Sequence, residues 1–432
     1  MLKRKFYDYL LNWKNTKDKE CLLVKGARQI GKTYIVDHFG KENYKSYIYI
    51  NFVENPKYKE IFEGSLSAEE IYKKLSVYIF GIKFIEKETL IFLDEIQDCP
   101  NARTALKFLA LDNKYDVIAS GSLLGINYKE VSSIPVGYER QVDMYSLDFE
   151  EFLWAIGVNS MAISYVKEFF DKKEKVPNDI NEKMFEYLRE YIVIGGMPNV
   201  VNTFVETKNY SEVQKAQEKI IRSYYEDMIK YAPTVEKPKV RRCYDSIPKQ
   251  LAKENKKFQF SVVEKNSTAR KYGNSLDWLV DANIIQRIFN VSTPLLPLKA
   301  YEKDDQYKVY MNDIGLLVSM YGFEMKAPIL ENSIKGPAKG GIYENLVSDI
   351  LVKRGYKLNY YKTENASQEI EFLITTSAGV IPIEVKAGNG TSVSLNTFID
   401  EFKPMIAYKL ITGNIGVIDT KTTLPLYMAM FI

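Results

Sequence analysis

The residue types and spacing best suited to chemistry occur together near the start of the chain. The template G-x-x-x-x-G-K-[ST] is filled without a mismatch by Gly26, Gly31, Lys32 and Thr33. An apolar run suited to a buried strand, 21–24, precedes this loop, and a helical pattern begins directly after it. This strand–loop–helix order is the context that the template requires. The stretch therefore predicts a site that binds the phosphates of a nucleotide.

The expected chemistry of this loop comes from its backbone and from two side chains. The residues predicted to contact ATP are Gly26, Ala27, Arg28, Gln29, Ile30, Gly31, Lys32 and Thr33. Glycines let backbone N–H groups turn inward around an anion, and the helix N-terminus adds partial positive charge. We expect Lys32 to reach the β- and γ-phosphates as a catalytic residue, and Thr33 to place its hydroxyl on Mg²⁺. The structural alternative is a glycine-rich turn before an ordinary helix.

A second candidate element is the run Leu90–Glu95, four apolar residues that end in two acids. A buried parallel strand has this continuous apolar pattern, and open α/β sheets bind ligands at the carboxyl ends of such strands. We expect Asp94 to hold Mg²⁺ through water, and Glu95 to orient and polarise the attacking water. Acids also end strands for structural reasons alone, so the spacing of 61 residues from Thr33 to Asp94 carries much of the prediction.

Small polar residues end the next predicted strand, Tyr115–Ser122. In P-loop ATPases with an inserted strand, this position senses the γ-phosphate. Ser120 or Ser122 could donate that hydrogen bond, and Ser122 is the candidate catalytic residue; a serine-rich turn is the structural alternative. A further strand at Arg140–Leu147 completes a predicted five-stranded parallel sheet with helices on both faces.

Composition excludes several other classes of protein. A chain of 432 residues predicts two to four domains, and 46% apolar with 27% charged residues is ordinary for a soluble protein. The single histidine, His38, excludes Ser-His-Asp triads and multi-histidine metal sites, so hydrolysis would depend on carboxylates, lysines and metal ions. No apolar run could span a bilayer, and three widely spaced cysteines indicate reduced thiols in a cytoplasmic protein.

Several motifs together resemble a group of AAA-type ATPases of bacteria and archaea whose C-terminal region has no known function. The motifs are Gly26–Thr33, Leu93–Gln97, Gly121–Leu124, Ser146–Phe152, Gly195–Pro198 and Tyr310–Leu316. The resemblance covers nearly the whole chain, and it implies ATP and Mg²⁺ as cofactors. One position departs from it: Tyr138 follows Gly137 where many relatives carry arginine, and the nearest arginine is Arg140. No arginine finger is therefore assigned to this loop.

Four domains are predicted within an α/β fold. They are an AAA-type P-loop ATPase domain (1–150), a helical lid (151–235), a winged-helix domain (236–330) and a PD-(D/E)XK nuclease-like α/β domain (331–432). The helical stretch looks like the small lid of AAA-type proteins, although a helical spacer would read identically.

The predicted winged helix begins with a local excess of positive charge. Residues 236–271 contain eleven lysines and arginines against four acids, whereas the whole chain has a net charge of only +3. Thr268–Ala282 is the predicted recognition helix, with Arg270 and Lys271 near its start, where base or phosphate contacts are made. The predicted wing strands are Ile284–Asn290 and Tyr307–Met311. A clustered basic excess on such a fold favours DNA binding. Winged helices also bind proteins, so a protein partner stays open.

Acids dominate the predicted chemistry of the last domain. A helix carrying Glu344 precedes three strands, of which the second carries Glu371 and the third carries Glu384 and Lys386. This order resembles the PD-(D/E)XK fold, in which clustered carboxylates bind Mg²⁺ and the lysine stabilises charge on the attacked phosphate. Glu371 stands where that fold usually has aspartate, which puts nuclease activity in doubt.

Two functions of different class remain. In the first, the protein is an Mg²⁺-dependent ATPase that couples its nucleotide state to the winged helix and the nuclease-like tail, which could act on DNA. In the second, it is a non-catalytic ATP-dependent switch that regulates or binds a protein, with an inactive nuclease-like scaffold. Glu95 favours the first, because a pure binder does not need a water-positioning acid. Oligomeric state and pathway are left open.

Overall fold

The computed structural model describes residues 2–17, 19–122, 137–365, 367–388 and 392–432. They form two compact units, residues 3–146 with 281–283, and residues 147–280 with 284–432. The elements of the first unit are, in chain order, α1 (Lys5–Lys14), β1 (Cys21–Lys25), α2 (Lys32–Asn43), β2 (Ser46–Asn51), α3 (Ala68–Tyr78), β3 (Thr89–Asp94), α4 (Pro100–Asp112), β4 (Asp116–Gly121) and β5 (Glu139–Asp143), with 3-10 helices at Pro56–Phe62 and Ile96–Asp98.

The first unit is built on a parallel sheet with strand order β2-β3-β4-β1-β5. This confirms the predicted five-stranded parallel sheet. The last strand is shorter than expected, Glu139–Asp143 instead of Arg140–Leu147. Because parallel strands end at the same edge, the residues that follow β1, β3 and β4 share one side of the sheet.

Both faces of this sheet are buried, which is why its strands read as continuous apolar runs. Leu23, Ile91 and Val117 belong to a core that includes residues of α3 and α4. Their strand neighbours point to the opposite face, and α2 covers it: a Cβ at Gly40 would lie 3.0 Å from the Leu90 side chain. The helices on the two faces fix the positions of the strand ends.

The elements that follow are α5 (Phe149–Ala155), α6 (Ser160–Lys172), α7 (Asn178–Ile194), α8 (Pro198–Thr207), α9 (Tyr210–Tyr231), α10 (Lys237–Leu251), α11 (Phe260–Val263), α12 (Ala269–Asp281), β6 (Ile285–Val291), β7 (Glu302–Met311), α13 (Ile314–Tyr321), α14 (Lys326–Leu330), α15 (Pro337–Lys353), β8 (Asn359–Lys362), β9 (Glu369–Thr376), β10 (Gly379–Val385), α16 (Val393–Phe402), β11 (Ala407–Ile411), β12 (Gly416–Ile418) and β13 (Lys421–Pro425). Short 3-10 helices lie at Leu298–Tyr301, Phe323–Met325 and Leu426–Phe431. Among the residues described, no helix has the length and apolarity needed to cross a membrane.

An eight-stranded sheet organises the second unit, with the order β12-β13-β11-β10-β9-β8-β6-β7. The β6–β7 pair is an antiparallel hairpin at the position of the predicted wing strands. It also continues the C-terminal sheet, because β6 pairs in parallel with β8. The segments 236–330 and 331–432, predicted as separate domains, therefore share one sheet.

Three of the motifs that carry the family resemblance, Ser146–Phe152, Gly195–Pro198 and Tyr310–Leu316, pack closely against one another inside the second unit. A Cβ at Gly196 would lie 2.0 Å from the Leu147 carbonyl oxygen, and one at Gly315 would lie 2.3 Å from the Ile194 carbonyl oxygen. The Asp313 carboxylate also accepts a hydrogen bond of 2.8 Å from the Gly196 N–H. Only glycine permits this backbone-on-backbone contact, so these motifs serve packing.

Candidate functional site

The loop between β1 and α2 has the backbone shape of a phosphate-binding loop. Gly26 and Gly31 have φ angles of 145° and 90°, values that favour glycine. A Cβ at Gly26 would lie 2.2 Å from the Met144 carbonyl oxygen, so a side chain has no room there. Gly31 is the residue that caps the start of α2, which directs the positive end of that helix at the loop.

Lys32 lies over the interior of this loop. Its side chain is buried, and Nζ donates hydrogen bonds of 2.9 Å to the Gly26 carbonyl and 2.8 Å to the Ala27 carbonyl. Charged phosphate oxygens are stronger acceptors for an ammonium group than neutral carbonyls are. The arrangement can therefore hold the lysine in place and transfer it to the phosphates of a nucleotide.

Asp94 is the centre of the hydrogen-bond network at the sheet edge. It is only 2% exposed, and its carboxylate accepts hydrogen bonds from Thr33 Oγ1 at 2.8 Å and Tyr49 OH at 3.2 Å. Ser120 Oγ also donates to it, and Asn51 Nδ2 lies 3.5 Å away. Hydroxyl and carboxylate oxygens side by side are the donor set that Mg²⁺ prefers. The residues present therefore fit a Mg²⁺ ion held between Thr33 and Asp94.

Glu95 follows Asp94 with a left-handed backbone (φ 53°), which is rare for a residue other than glycine. Gln97 Nε2 donates a hydrogen bond of 2.5 Å to its carboxylate. The other amide atom, Gln97 Oε1, is buried and has no hydrogen-bond partner within the described ranges. Backbone strain and unsatisfied buried acceptors occur most often at functional sites, where other contacts offset their energetic cost. Gln97 thus fixes the direction of the candidate water-positioning acid.

The two serines at the end of β4 have different partners. Ser120 donates to Asp94, whereas Ser122 Oγ lies 3.4 Å from Arg28 Nε of the phosphate-binding loop. Of the two, Ser122 is the serine on the loop side. Residues 123–124, the last two of the predicted Gly121–Leu124 motif, lie outside the described residues.

Glu344, expected to be a metal ligand, is surrounded by donors in the second unit. Its carboxylate lies 2.9 Å from Lys256 Nζ, 3.4 Å from Lys308 Nζ and 2.9 Å from Tyr310 OH. Lys308 is 1% exposed and also lies 2.7 Å from Glu369. Burial alone would raise the pKa of Glu344, but Lys308 and Lys256 hold that pKa below its usual value.

Glu371, Glu384 and Lys386 do come together on one face of the sheet. Lys386 Nζ lies 3.3 Å from Glu371 and 3.5 Å from Glu384. Burial, with the nearby Glu344 charge, raises the pKa of Glu371 to about 7. Glu384 Oε2 is buried and has no hydrogen-bond partner in the described part of the chain.

A metal ion does not fit the full predicted carboxylate set. Within the described residues, no group of three or more His, Cys, Asp or Glu side chains could hold a metal ion. The physical reason lies at Glu344, where two lysine charges and a tyrosine hydroxyl occupy the carboxylate. Glu344 was expected to be a metal ligand, but its carboxylate is engaged by these protein groups. Cation binding by Glu371 and Glu384 stays a prediction.

The basic segment, residues 236–271, keeps part of its positive charge at the surface. Lys271 and Arg242 lie 2.7 Å and 3.1 Å from Glu264, so both are in ion pairs. Arg270 is exposed in the first turn of α12. A cation at a helix N-terminus opposes the helix dipole. Its position therefore gives no benefit to the helix and suits an anionic partner.

The loop, the buried Asp94 and the adjacent Glu95 define a P-loop nucleotide-binding domain. The family model described as "AAA domain" matches residues 18–153. Two further models, both described as domains of unknown function (DUF8612 and DUF4143), match residues 185–327 and 339–428. No curated protein sequence matches the chain significantly. The family match and the site geometry together support an AAA-type P-loop ATPase domain in the first unit.

Solved structures share partial likeness with the chain. A Walker-type ATPase of Pyrococcus abyssi is 14% identical over 74% of this chain and 96% of its own, with a TM-score of 0.45. The Aeropyrum pernix ORC1 protein in complex with DNA is 13% identical over 77% and 93%, with a TM-score of 0.29. AMPPCP-bound DnaA of Aquifex aeolicus is 11% identical over 63% and 85%, with a TM-score of 0.27. Since these scores are below 0.5, the assignment depends on the family match and the loop geometry.

Sequence reasoning missed several contributors to these sites. Tyr49 and Asn51 reach Asp94 from the neighbouring strand β2, and Gln97 holds Glu95. Lys308 occupies the carboxylate cluster from β7. The polar Asn51 at the end of a mostly apolar strand could have indicated a functional position. Lys308, in the strand Glu302–Met311, gave no such indication, because its burial depends on a partner strand that is distant in sequence.

Proposed function

We propose that the protein binds ATP with Mg²⁺ and hydrolyses it, with Glu95 directing the attacking water. The contact of 2.8 Å between Thr33 Oγ1 and Asp94 carries this proposal, because it joins the phosphate-binding loop to the acid pair 61 residues later in the chain. Lys32 would bind the β- and γ-phosphates, and Thr33 and Asp94 would hold Mg²⁺. Bound Mg²⁺ supplies neutralisation of phosphate charge. Ser122 would donate a hydrogen bond to the γ-phosphate.

The Lys32→Ala variant tests ATP binding. Losing a charge-assisted contact is expected to weaken ATP affinity about 10- to 100-fold, since hydrogen bonds to charged groups contribute roughly 1.5–3 kcal/mol. Titration calorimetry with ATP and Mg²⁺ measures the change. Lys41→Ala is the matched control, because Lys41 is an exposed lysine of the same helix, paired with Asp37. Equal ATP affinity in the two variants would contradict the proposal.

Coupling of nucleotide state to the second unit is part of the proposal. Met144 lies against the loop: its N–H donates 2.8 Å to the Lys25 carbonyl, and its carbonyl blocks any side chain at Gly26. Only three residues further along the chain, the Leu147 N–H donates 2.7 Å to the Gly196 carbonyl. If the loop moves when ATP binds, it would therefore displace Met144. The three residues that follow Met144 in the chain would transmit this displacement to the packing of Leu147 against Gly196.

DNA binding through the basic segment is the second candidate function. Arg270 is exposed in the first turn of α12, so its positive charge lies at the positive end of the helix dipole. This position favours DNA binding, because the charge suits an anionic partner. Arg270→Glu is expected to weaken binding of duplex DNA, and the log–log salt dependence should flatten by about 0.9 per lost phosphate contact. Fluorescence anisotropy at several salt concentrations measures both quantities. Lys219→Glu on α9, exposed and outside the segment, is the matched control.

A protein partner is the other outcome of that experiment. If the wild type does not bind duplex DNA, or if its binding changes with neither salt nor Arg270→Glu, the basic segment would be assigned to protein binding. ATP affinity, measured on the same samples, is expected to stay unchanged, since Arg270 lies outside the phosphate-binding loop.

A nuclease-like fold for the last segment is also proposed. Glu371 on β9, Glu384 on β10 and Lys386, the residue directly after β10, lie close together. Their proximity supports this fold. The lysine partners of Glu344 favour the alternative in which this fold is an inactive scaffold that responds to ATP. Catalysis by the tail would need the carboxylate that these lysines already neutralise.

A further inference from the structure

We propose that a cavity in the second unit binds a free amino acid, a small zwitterion whose carboxylate contacts Arg189 and Tyr343. The cavity has a volume of about 370 Å³, which lies in the range of small-molecule sites. It lies beside α7, and α15 and the residue directly after β11 also contribute to its wall. All of these residues belong to the second unit, so the inference is independent of the proposed ATPase function.

Arg189 is held in the cavity wall with most of its donors unused. Its Nε donates a hydrogen bond of 2.9 Å to the Leu330 carbonyl at the end of α14. Among the described residues, Nη1 and Nη2 have no hydrogen-bond partner, and the guanidinium forms no ion pair. The guanidinium is therefore fixed in direction, and its two terminal nitrogens can donate to the two oxygens of a carboxylate.

Tyr343 offers a second donor to the same cavity. Its side chain is 5% exposed and lines the cavity together with Arg189. The hydroxyl has no hydrogen-bond partner in the part of the chain that the structure describes. Burial raises the pKa of this hydroxyl, and the nearby Arg189 charge opposes the rise. The group therefore remains a neutral O–H, and an acceptor on a ligand would offset the cost of leaving it unpaired.

Two carboxylates of α7 give the cavity a negative side. Glu182 and Glu186 both line it and are four residues apart, so they are neighbours on the helix surface and their like charges repel. Lys183 pairs with Glu186 at 2.8 Å, whereas Glu182 forms no ion pair within the described ranges. An ammonium group between the two acids would relieve their repulsion.

The spacing along α7 suits a compact zwitterion. Arg189 comes three residues after Glu186, a rise of about 4.5 Å along the helix. An ammonium and a carboxylate carried by one carbon atom can therefore contact both side chains. Phe185 and Leu188 add apolar surface to the lining, against which the side chain of an amino acid can pack.

The balance of charge selects an amino acid over a phosphate compound. Arg189 contributes one positive charge to the lining, and Glu182 and Glu186 contribute two negative charges. A phosphate group carries about two negative charges at neutral pH, so both acids would repel it. A zwitterion has no net charge and places each of its groups beside a charge of opposite sign.

Thermal unfolding of the full-length chain tests the ligand class. Each common amino acid is added separately at millimolar concentration, and at least one should raise Tm, because a ligand of the folded state stabilises it. The most effective amino acid is then titrated by calorimetry. Its N-acetyl derivative, which resembles the end of a peptide, and its amide should each bind about tenfold more weakly or less, since each lacks one charged group.

The Tyr343→Phe variant tests the site. Affinity for the same amino acid should fall about 10- to 100-fold, because a hydrogen bond to a charged group is lost. The variant should fold as the wild type does, since the hydroxyl that it removes has no partner among the residues described. Arg189→Lys keeps the charge but loses the paired donors, so it should also weaken binding. Tyr165→Phe, at an exposed tyrosine of α6, is the matched control and should bind normally.

Three results would overturn the proposal. One is the absence of a Tm shift with every amino acid, and another is equal affinity in wild type and Tyr343→Phe. The third is an N-acetyl derivative, or inorganic phosphate, that binds as tightly as the free amino acid, because the cavity would then recognise an anion and not a zwitterion.

Discussion

Glu95→Gln is expected to bind ATP as tightly as the wild type and to hydrolyse it about 10²–10⁴-fold more slowly. The substitution preserves size and removes only the negative charge that polarises water. The amide oxygen of a glutamine can still accept the hydrogen bond that Gln97 Nε2 gives to Glu95. The backbone and the side-chain direction should therefore persist, so that the lost rate reports on chemistry.

Steady-state phosphate release and calorimetric ATP binding measure the two halves of this prediction. The matched control is Glu42→Gln, which neutralises an exposed carboxylate of α2 that pairs with His38. Equal kcat in wild type and Glu95→Gln would remove Glu95 from the mechanism and favour a non-catalytic nucleotide switch. Loss of ATP binding in Glu95→Gln would instead show that the carboxylate supports the loop.

The nucleotide site could be predicted from sequence because its parts are local. The loop residues Gly26–Thr33 are consecutive, and the order of strands brings Asp94 to the same edge by a rule of parallel sheets. The helix and strand positions followed from apolar periodicity. What could not be predicted is the left-handed backbone at Glu95, since its cost is offset by tertiary contacts that no local pattern encodes.

The C-terminal site was predicted less well because its partners are distant in sequence. Glu371, Glu384 and Lys386 lie on a hairpin and its end, so alternation along the strands placed them on one face. Lys308 comes from a hairpin that was expected to be a wing, and the parallel pairing of β6 with β8 carries it into the cluster. Sequence periodicity describes the faces of a strand but does not name its neighbours.

Lys308→Met is expected to destabilise the second unit by about 3–5 kcal/mol, the usual result of breaking a buried ion pair. Methionine resembles the aliphatic part of lysine, so packing changes little. The carboxylates of Glu344 and Glu369 would lose the ammonium group that lies 3.4 Å and 2.7 Å away. Urea unfolding followed by circular dichroism measures the loss. Lys308→Arg, which keeps the charge, should stay closer to wild type.

An exposed lysine gives the matched control for this experiment. Lys167 and Asp171 on α6 form an ion pair of 2.6 Å, with side chains 49% and 53% exposed. Lys167→Met should change the unfolding free energy by less than about 0.5 kcal/mol, because solvent screens such pairs. If Lys308→Met were equally harmless, its charge would contribute nothing to the cluster, and the space at Glu344 would be open to a cation.

The pH dependence of Lys308→Met separates lost charge from lost packing. In the wild type, burial alone would raise the pKa of Glu369, but Lys308 and Lys362 lower it to about 2. A lowered pKa gives stability that is present above the unfolded value, about 4.3, and is lost as pH falls toward 2. Without Lys308, fewer positive charges oppose the effect of burial, so the pKa values of Glu344 and Glu369 should rise and both carboxylates should take up protons at a higher pH than in the wild type. The stability gap between wild type and variant should therefore narrow as the pH is lowered, whereas a packing defect would leave it constant.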